Sequence, residues 1–163
     1  EMAGVSVYNC EEVCEMLKYD AYEAVQLPMN IFDCRFVKSG ILKKLRDASI
    51  VVFVRSIFLQ GLFFLKPEEL KGNLEDAKEY LVILNNLAER EGMSVAQLAL
   101  SYIRDMDAIT SLVIGAETPE QVKENAVLFN GPGINEKTRN EILNVFGNMP
   151  RHILIPGMWN FKR

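Results

Sequence analysis

The chain reads as an α/β protein built from successive βα units, and three observations predict it. Short apolar runs at residues 2–6, 23–27, 50–54 and 111–114 are each followed by a stretch with helical periodicity. The connections are too long for hairpins, so the strands are expected to run parallel with helical crossovers. The third run, IVVFV at 50–54, is β-branched and aromatic with no polar alternation. That is the pattern of a strand buried on both faces.

Taken in order, residues 2–6 form a strand, and Val13, Met16 and Leu17 then recur at helical spacing behind Glu11 and Glu12. EAVQL at 23–27 is the second strand, ended by Pro28, and residues 30–35 form a loop. Residues 35–48 carry Phe36, Val37, Ile41, Leu42 and Leu45 in one stripe, with Ser39-Gly40 offering a second helix start inside it. Arg55-Ser56 follows the third strand, Gln60-Gly61 makes a loop, and residues 67–70 suit a single helical turn. Residues 74–91 read as one long amphipathic helix with Leu81, Leu84, Leu87 and Ala88 inward, stopped by Gly92. Ser94 caps a helix over 95–105 that buries Ala96, Leu98, Ala99 and Tyr102.

The stretch 112–125, LVIGAETPEQVKEN, joins the fourth strand to its helix. Thr118 suits the N-cap, Pro119 the first helical position, and Glu120 the positive end of the helix dipole. A strand, a tight turn and a helix N-terminus gather unpaired N–H groups that suit an anion, most often a phosphate. The same pattern also serves as a plain connector. Gly131-Pro132-Gly133 breaks the chain, Asn135 caps a last helix to Phe146, and residues 149–163 show no periodicity.

These units fit an open doubly wound sheet or part of a closed (β/α)8 barrel. Four strands do not close such a barrel, and both end strands would be left as apolar edges. No G-x-G-x-x-G turn follows any strand, which counts against a dinucleotide fold of the doubly wound type. No repeat or linker divides the chain, so residues 1–163 are expected to form a single domain. The chain begins with Glu1 and runs at once into a strand, so it is expected to be a fragment of a longer polypeptide.

The 18 basic and 22 acidic residues give a net charge of −4 with neither sign clustered, which argues against nucleic-acid or polybasic membrane binding. The most apolar stretch, residues 50–65, is interrupted by Arg55, Ser56 and Gln60, so no membrane span is expected. No secretory signal pattern opens the chain. Cys10, Cys14 and Cys34, with His152, make no metal-ligand set, and the thiols read as reduced residues of a cytoplasmic protein.

Taken together, GVSVYNCEEV at Gly4, AVQLPMNIFD at Ala24, VRSIFLQGL at Val54, SVAQLALSYI at Ser94 and VIGAETPEQVKEN at Val113 resemble the second half of an aldo-keto reductase. The resemblance implies the (β/α)8 barrel, with this chain supplying the last four βα units, a C-terminal helix and a tail. Ser6, Gln26, Arg55 and Gly115 are then expected above the strand C-termini, where such barrels do their chemistry. By resemblance, Ser6 and Gln26 hold the nicotinamide carboxamide, although the asparagine usually following that serine is Val7 here. Arg55 takes the place of a ring that stacks on the nicotinamide, or else neutralises a carboxylate in the barrel mouth. Ser56, Phe58, Gln60 and Gly61 cover the pyrophosphate, or in the case of Phe58 simply pack. Gly115, Ala116 and Glu117 approach the adenosine phosphate, and Gln121, Glu124 and Asn125 face the adenine end.

The cofactor implied is NADP(H), with NAD(H) as the alternative. Family members that grip the 2′-phosphate commonly carry arginine where Gln121 stands and basic or hydroxyl groups where Gly115 and Ala116 stand; Glu117 opposes that phosphate and Lys123 offers compensation. The family's catalytic tyrosine, lysine, aspartate and histidine lie on the first half of the barrel, so no catalytic residue is assigned here. The tail is expected either to drape over the barrel mouth or to pin Trp159 and Phe161 against an outer helix. The implied function is NAD(P)-dependent hydride transfer to an aldehyde, ketone or sugar carbonyl, with the N-terminal half of the barrel as partner. Two other readings remain: a catalytically inactive dinucleotide-binding sensor, and an autonomous half-barrel that self-associates through its edge strands.

Overall fold

Four strands, β1 (Gly4–Ser6), β2 (Ala24–Pro28), β3 (Val51–Arg55) and β4 (Ser111–Val113), form one parallel sheet in a computed structural model that describes residues 1–160. Their order is β1-β2-β3-β4, and Ser6, Gln26, Phe53 and Ser111 stand side by side in register. The order never reverses. A doubly wound sheet reverses at its switch point, so that alternative is excluded and the sheet is wound in one sense, as in a barrel wall.

Helices cover one face only. Val25, Leu27, Val52 and Val54 lie beneath them and are all but inaccessible, whereas Ala24, Gln26, Pro28, Val51, Phe53 and Arg55 on the other face stay partly exposed. The expectation that residues 50–54 are buried on both faces is therefore corrected to alternate burial. The apolar residues of the second face, Val51 and Phe53, meet no covering layer among the described residues, where a closed barrel would pack the side chains of its other strands. The outer edges of β1 and β4 likewise carry no neighbouring strand.

The crossovers follow local signals. Asn9 caps α1 (Cys10–Met16) by accepting from the Glu12 amide, while the Glu12 carboxylate accepts from the Tyr8 amide. The stripe at 35–48 divides into α2 (Arg35–Lys38) and α3 (Ile41–Asp47), because Gly40 sits at φ 71° and stops the first helix. The loop before them is buried: Asn30 Oδ1 accepts from the Phe32 and Asp33 amides, and the Asp33 carboxylate holds the Arg35 guanidinium at 2.7 and 2.8 Å. Phe32 packs 4.7 Å from Phe146 and 4.8 Å from Phe63, tying three distant segments into the core.

The helix expected over 74–91 begins as a 3₁₀ turn, Gly72–Ala77, and becomes α4 only at Lys78–Arg90. Ser94 caps α5 (Val95–Arg104), Thr118 caps α6 (Pro119–Phe129) and Asn135 caps α7 (Glu136–Phe146), each through its side-chain oxygen. The tail holds a short α8 (Arg151–Leu154) and a 3₁₀ turn, Pro156–Met158, pieces too brief for periodicity to reveal. Trp159 donates its indole N–H to the Ile153 carbonyl, and Asn160 and Asn73 exchange amide and side-chain hydrogen bonds. The tail is thus fastened beside residues 72–77, and Phe161 lies outside the described residues.

Candidate cofactor-binding cleft

All strands end on one rim, and the predicted residues fall there in two groups. Ser6 closes β1 and donates its hydroxyl to Gln26 Oε1 across 3.4 Å. Gln26 stands two residues short of the β2 terminus, one layer below Arg55, which pairs with Pro28. Its expected place above the strand end is therefore corrected to the sheet's inner face, beside Ser6. The 3.4 Å bond is at the weak limit, so both side chains remain open to a better partner.

Arg55 closes β3. Its guanidinium lies 4.6 Å from the centre of the Tyr8 ring, and Nη1 donates to Ser56 Oγ at 3.4 Å. Nη2 is buried with no hydrogen-bond partner, and no carboxylate among the described residues forms an ion pair with Arg55. The barrel-mouth carboxylate considered for it is absent from these residues. Tyr8, half of this contact, carries no motif that would mark it from sequence.

The second group lines one cleft of about 890 Å³ between the turn after β3 and the turn before α6. Ser56, Phe58, Gln60, Gly61, Gly115, Ala116, Gln121, Glu124 and Asn125 all contribute to its wall. Ser6, Gln26 and Arg55 do not; of the three, Arg55 adjoins it through its bond to Ser56. Sequence reasoning missed Ile57, Phe64, Ala96 and Leu128, apolar wall residues that look like core until the fold places them.

Local backbone shapes both walls. Ser56, Leu59 and Gln60 adopt φ of 65°, 44° and 50°, and Gly61 follows at 78°. Left-handed geometry at three non-glycine residues within six is costly, and it folds the turn tightly over the end of β3. Opposite, the Thr118 hydroxyl accepts from the Gln121 amide, and the Gln121 side chain accepts from the Glu117 amide at 2.6 Å. The amides of Gly115 and Ala116 have no acceptor among the described residues. Gly115 has neither a left-handed φ nor a neighbour within 4 Å of where a Cβ would stand, so packing does not demand glycine there. The space belongs to the cleft.

A dinucleotide suits these residues. Two unpaired amides precede a helix N-terminus, a phosphate-binding arrangement. An orphaned guanidinium nitrogen lies at the near end, and carboxamide and carboxylate side chains lie along α6. Gln121, Glu124, Asn125 and Leu128 share one face of that helix, whereas Lys123, two residues from both Gln121 and Asn125, projects from the opposite side. The compensating role considered for Lys123 is therefore corrected: its charge is turned away from the wall. Among the described residues no cluster of three His, Cys, Asp or Glu is placed to hold a metal ion, and no helix is long and apolar enough to cross a membrane.

The chain is 27% identical over 153 residues to L-glyceraldehyde 3-phosphate reductase of Escherichia coli (strain K12), covering 78% of this chain and 44% of that protein. It is 27% identical over 141 residues to the NADH-specific methylglyoxal reductase of the same strain, covering 43% of it. An aldo-keto reductase structure from Bacillus halodurans superposes with a TM-score of 0.73 at 22% identity, covering 88% of this chain and 49% of that one. The glycerol dehydrogenase of Gluconobacter oxydans superposes with a TM-score of 0.67 at 22% identity, covering 95% and 50%. The chain thus spans half or less of the length of these relatives, and its fold is that of half an aldo-keto reductase (β/α)8 barrel. The profile of the aldo/keto reductase family matches residues 1–142, and with four singly wound parallel βα units behind that match, the chain belongs to this family.

Proposed function

We propose that this chain is the cofactor-gripping half of an NAD(P)-dependent oxidoreductase that moves hydride between nicotinamide and an aldehyde, ketone or sugar carbonyl. One observation carries the reading: two turns separated by about a third of the chain converge on a single cleft beside the rim where β1 and β3 end. Ser6 and Gln26 would hold the carboxamide, and Arg55, steadied by Tyr8, would lie against the nicotinamide. Ser56, Phe58, Gln60 and Gly61 would cover the pyrophosphate, and Gly115, Ala116 and Glu117 would approach the adenosine phosphate, the first two with free backbone amides. Gln121, Glu124 and Asn125 would face the adenosine. The bound nicotinamide supplies the hydride chemistry; these residues bind it, orient it and keep water from its faces.

The proton donor belongs, on this reading, to the complementary N-terminal half of the barrel, which is the proposed partner. The uncovered inner face and the open edges of β1 and β4 favour such a partner. Expressed alone, residues 1–163 are expected to behave as one domain and to self-associate through the same edges, which size-exclusion chromatography reads. The intact protein is placed in the cytoplasm, with its thiols reduced.

Titration of the intact protein with NADH and NADPH, followed by nicotinamide fluorescence, tests the proposal. Saturable binding, weakened by about tenfold or more in Gln26→Ala and Asn125→Ala, is expected from the loss of hydrogen bonds worth about 1–2 kcal/mol each. If neither dinucleotide perturbs the spectrum, the assignments are wrong.

A further inference from the structure

A second concavity, of about 490 Å³, opens between the loop after β3 and the outward face of α4. Pro67 starts a 3₁₀ turn that packs against α4, and Val82 and Asn86 stand one turn apart on that helix. Val95, the first residue of α5, completes the wall. Phe64 is 55% exposed and Val82 48%, so two large apolar side chains face solvent in one depression. No residue of the open sheet face, and none of β1 or β4, lines it. The surfaces through which a complementary half would dock are therefore separate from it.

The groove carries charge of one sign. Among the described residues that line it, Lys66 is the only ionisable one. Its ammonium has no hydrogen bond or ion pair among the described residues, because the Glu69 carboxylate accepts from the Lys66 backbone amide, at 3.0 Å. The Asn86 carboxamide is likewise without a partner among them. An apolar floor thus runs up to a free cation and a free amide, in a chain of net charge −4.

We propose that this groove binds a small carboxylate with an aromatic body, at a site distinct from the cleft. The ring lies on Phe64 and Val82, and the acid group reaches Lys66 and Asn86. The volume is that of a small-molecule site. Burial of apolar surface supplies the affinity, and the single cation fixes which end of the ligand points where. Phe64 lines both depressions, and its ring lies 5.4 Å from that of Phe58, so occupancy of the groove is felt at the cleft wall as well. Val82 and Asn86 line the groove alone, and their signals separate the two sites.

The test titrates the intact protein with phenylbutyrate, and separately with the neutral phenylbutanol, while following its NMR signals. Saturation by phenylbutyrate is expected with a dissociation constant of about 1 mM, and the signals of Lys66, Val82 and Asn86 are expected to move together. Removing either charge, with phenylbutanol or in Lys66→Met, is expected to weaken binding about three- to tenfold. Val82→Glu, at an exposed position, is expected to abolish it by setting a carboxylate against the ligand's own. Equal affinity for phenylbutanol, a Lys66→Met protein that binds as tightly, or saturation that leaves Val82 and Asn86 unmoved overturns the inference. So does a lack of saturation by about 10 mM, which assigns the groove to a protein partner instead. None of these outcomes touches the cleft assignment, because neither substituted residue lines the cleft.

Discussion

The Arg55 guanidinium lies over the Tyr8 ring, 4.6 Å from its centre, with one terminal nitrogen buried and unpartnered. The contact joins the loop after β1 to the end of β3 and holds a cation ready at the sheet's rim. A double-mutant cycle with Tyr8→Leu and Arg55→Met, read by urea unfolding, is expected to give a coupling of about 0.5–1 kcal/mol. Dinucleotide affinity is expected to fall more for Arg55→Met than for Tyr8→Leu, since only the former removes the charge.

One wall of the cleft, α6, buries none of its residues fully, and Val122 and Val127 are exposed. Its C-terminal end is held by polar contacts from α5: Gln97 Nε2 donates to the Leu128 carbonyl at 2.9 Å, and Arg104 Nη1 donates to the Phe129 and Gly131 carbonyls at 2.7 and 2.8 Å. Amide hydrogen exchange is expected to be faster in α6 than in the deeply buried α5. Gln97→Leu should accelerate it further and cost about 1 kcal/mol, because the Leu128 carbonyl keeps only the Gly131 amide of its two donors.

Asp33 is buried, and Arg35 is its ion-pair partner, itself partly exposed. The carboxylate beside it pushes the Arg35 guanidinium further up from its ordinary value, with burial opposing. Arg35→Met leaves a buried charge unpaired and is expected to destabilise by about 3 kcal/mol, the low end for such pairs given the exposure of Arg35. Adding Asp33→Asn should restore part of the loss in urea unfolding.

Gly40→Ala isolates a backbone cost. The residue is left-handed and a Cβ there would touch nothing within 4 Å, so about 1–2 kcal/mol of strain is expected without any clash. Gly40→Asn should cost less, and thermal unfolding distinguishes the two.

Burial pushes the Cys34 thiol up to about 11, partly offset by its contact with the Tyr102 hydroxyl. The folded state therefore favours the neutral thiol. That stability is complete below the ordinary value of 9.0 and is lost as pH rises from there towards about 11, with a slope of at most about 1.4 kcal/mol per pH unit. Burial raises the Tyr102 phenol as well, which adds to the loss above its own ordinary value of 10.0. Urea midpoints measured from pH 7 upward should fall in this window, and Cys34→Ala should reduce the loss just above 9.0 to the part that the Cys10 thiol, also raised by burial, contributes.

The class of fold, the order of its units and the helix starts at Ser94, Thr118 and Asn135 were legible in the residues alone. Each rests on neighbours a few positions apart: an apolar run, a hydroxyl or amide side chain reaching its own turn, a glycine that ends a helix. The cleft residues were named only through the family resemblance: six of the nine sit in the turns after β3 and before α6 and three on one face of α6, and the fold brings them to one wall. Direction in space was not legible. That the sheet winds one way, that its second face lies open, that Gln26 sits a layer below Arg55, that Tyr8 lies against Arg55 and that Lys123 turns away from the cleft all depend on contacts between segments tens of residues apart. No local propensity encodes such contacts; they follow from how the sheet registers and which face of each helix is drawn down onto it.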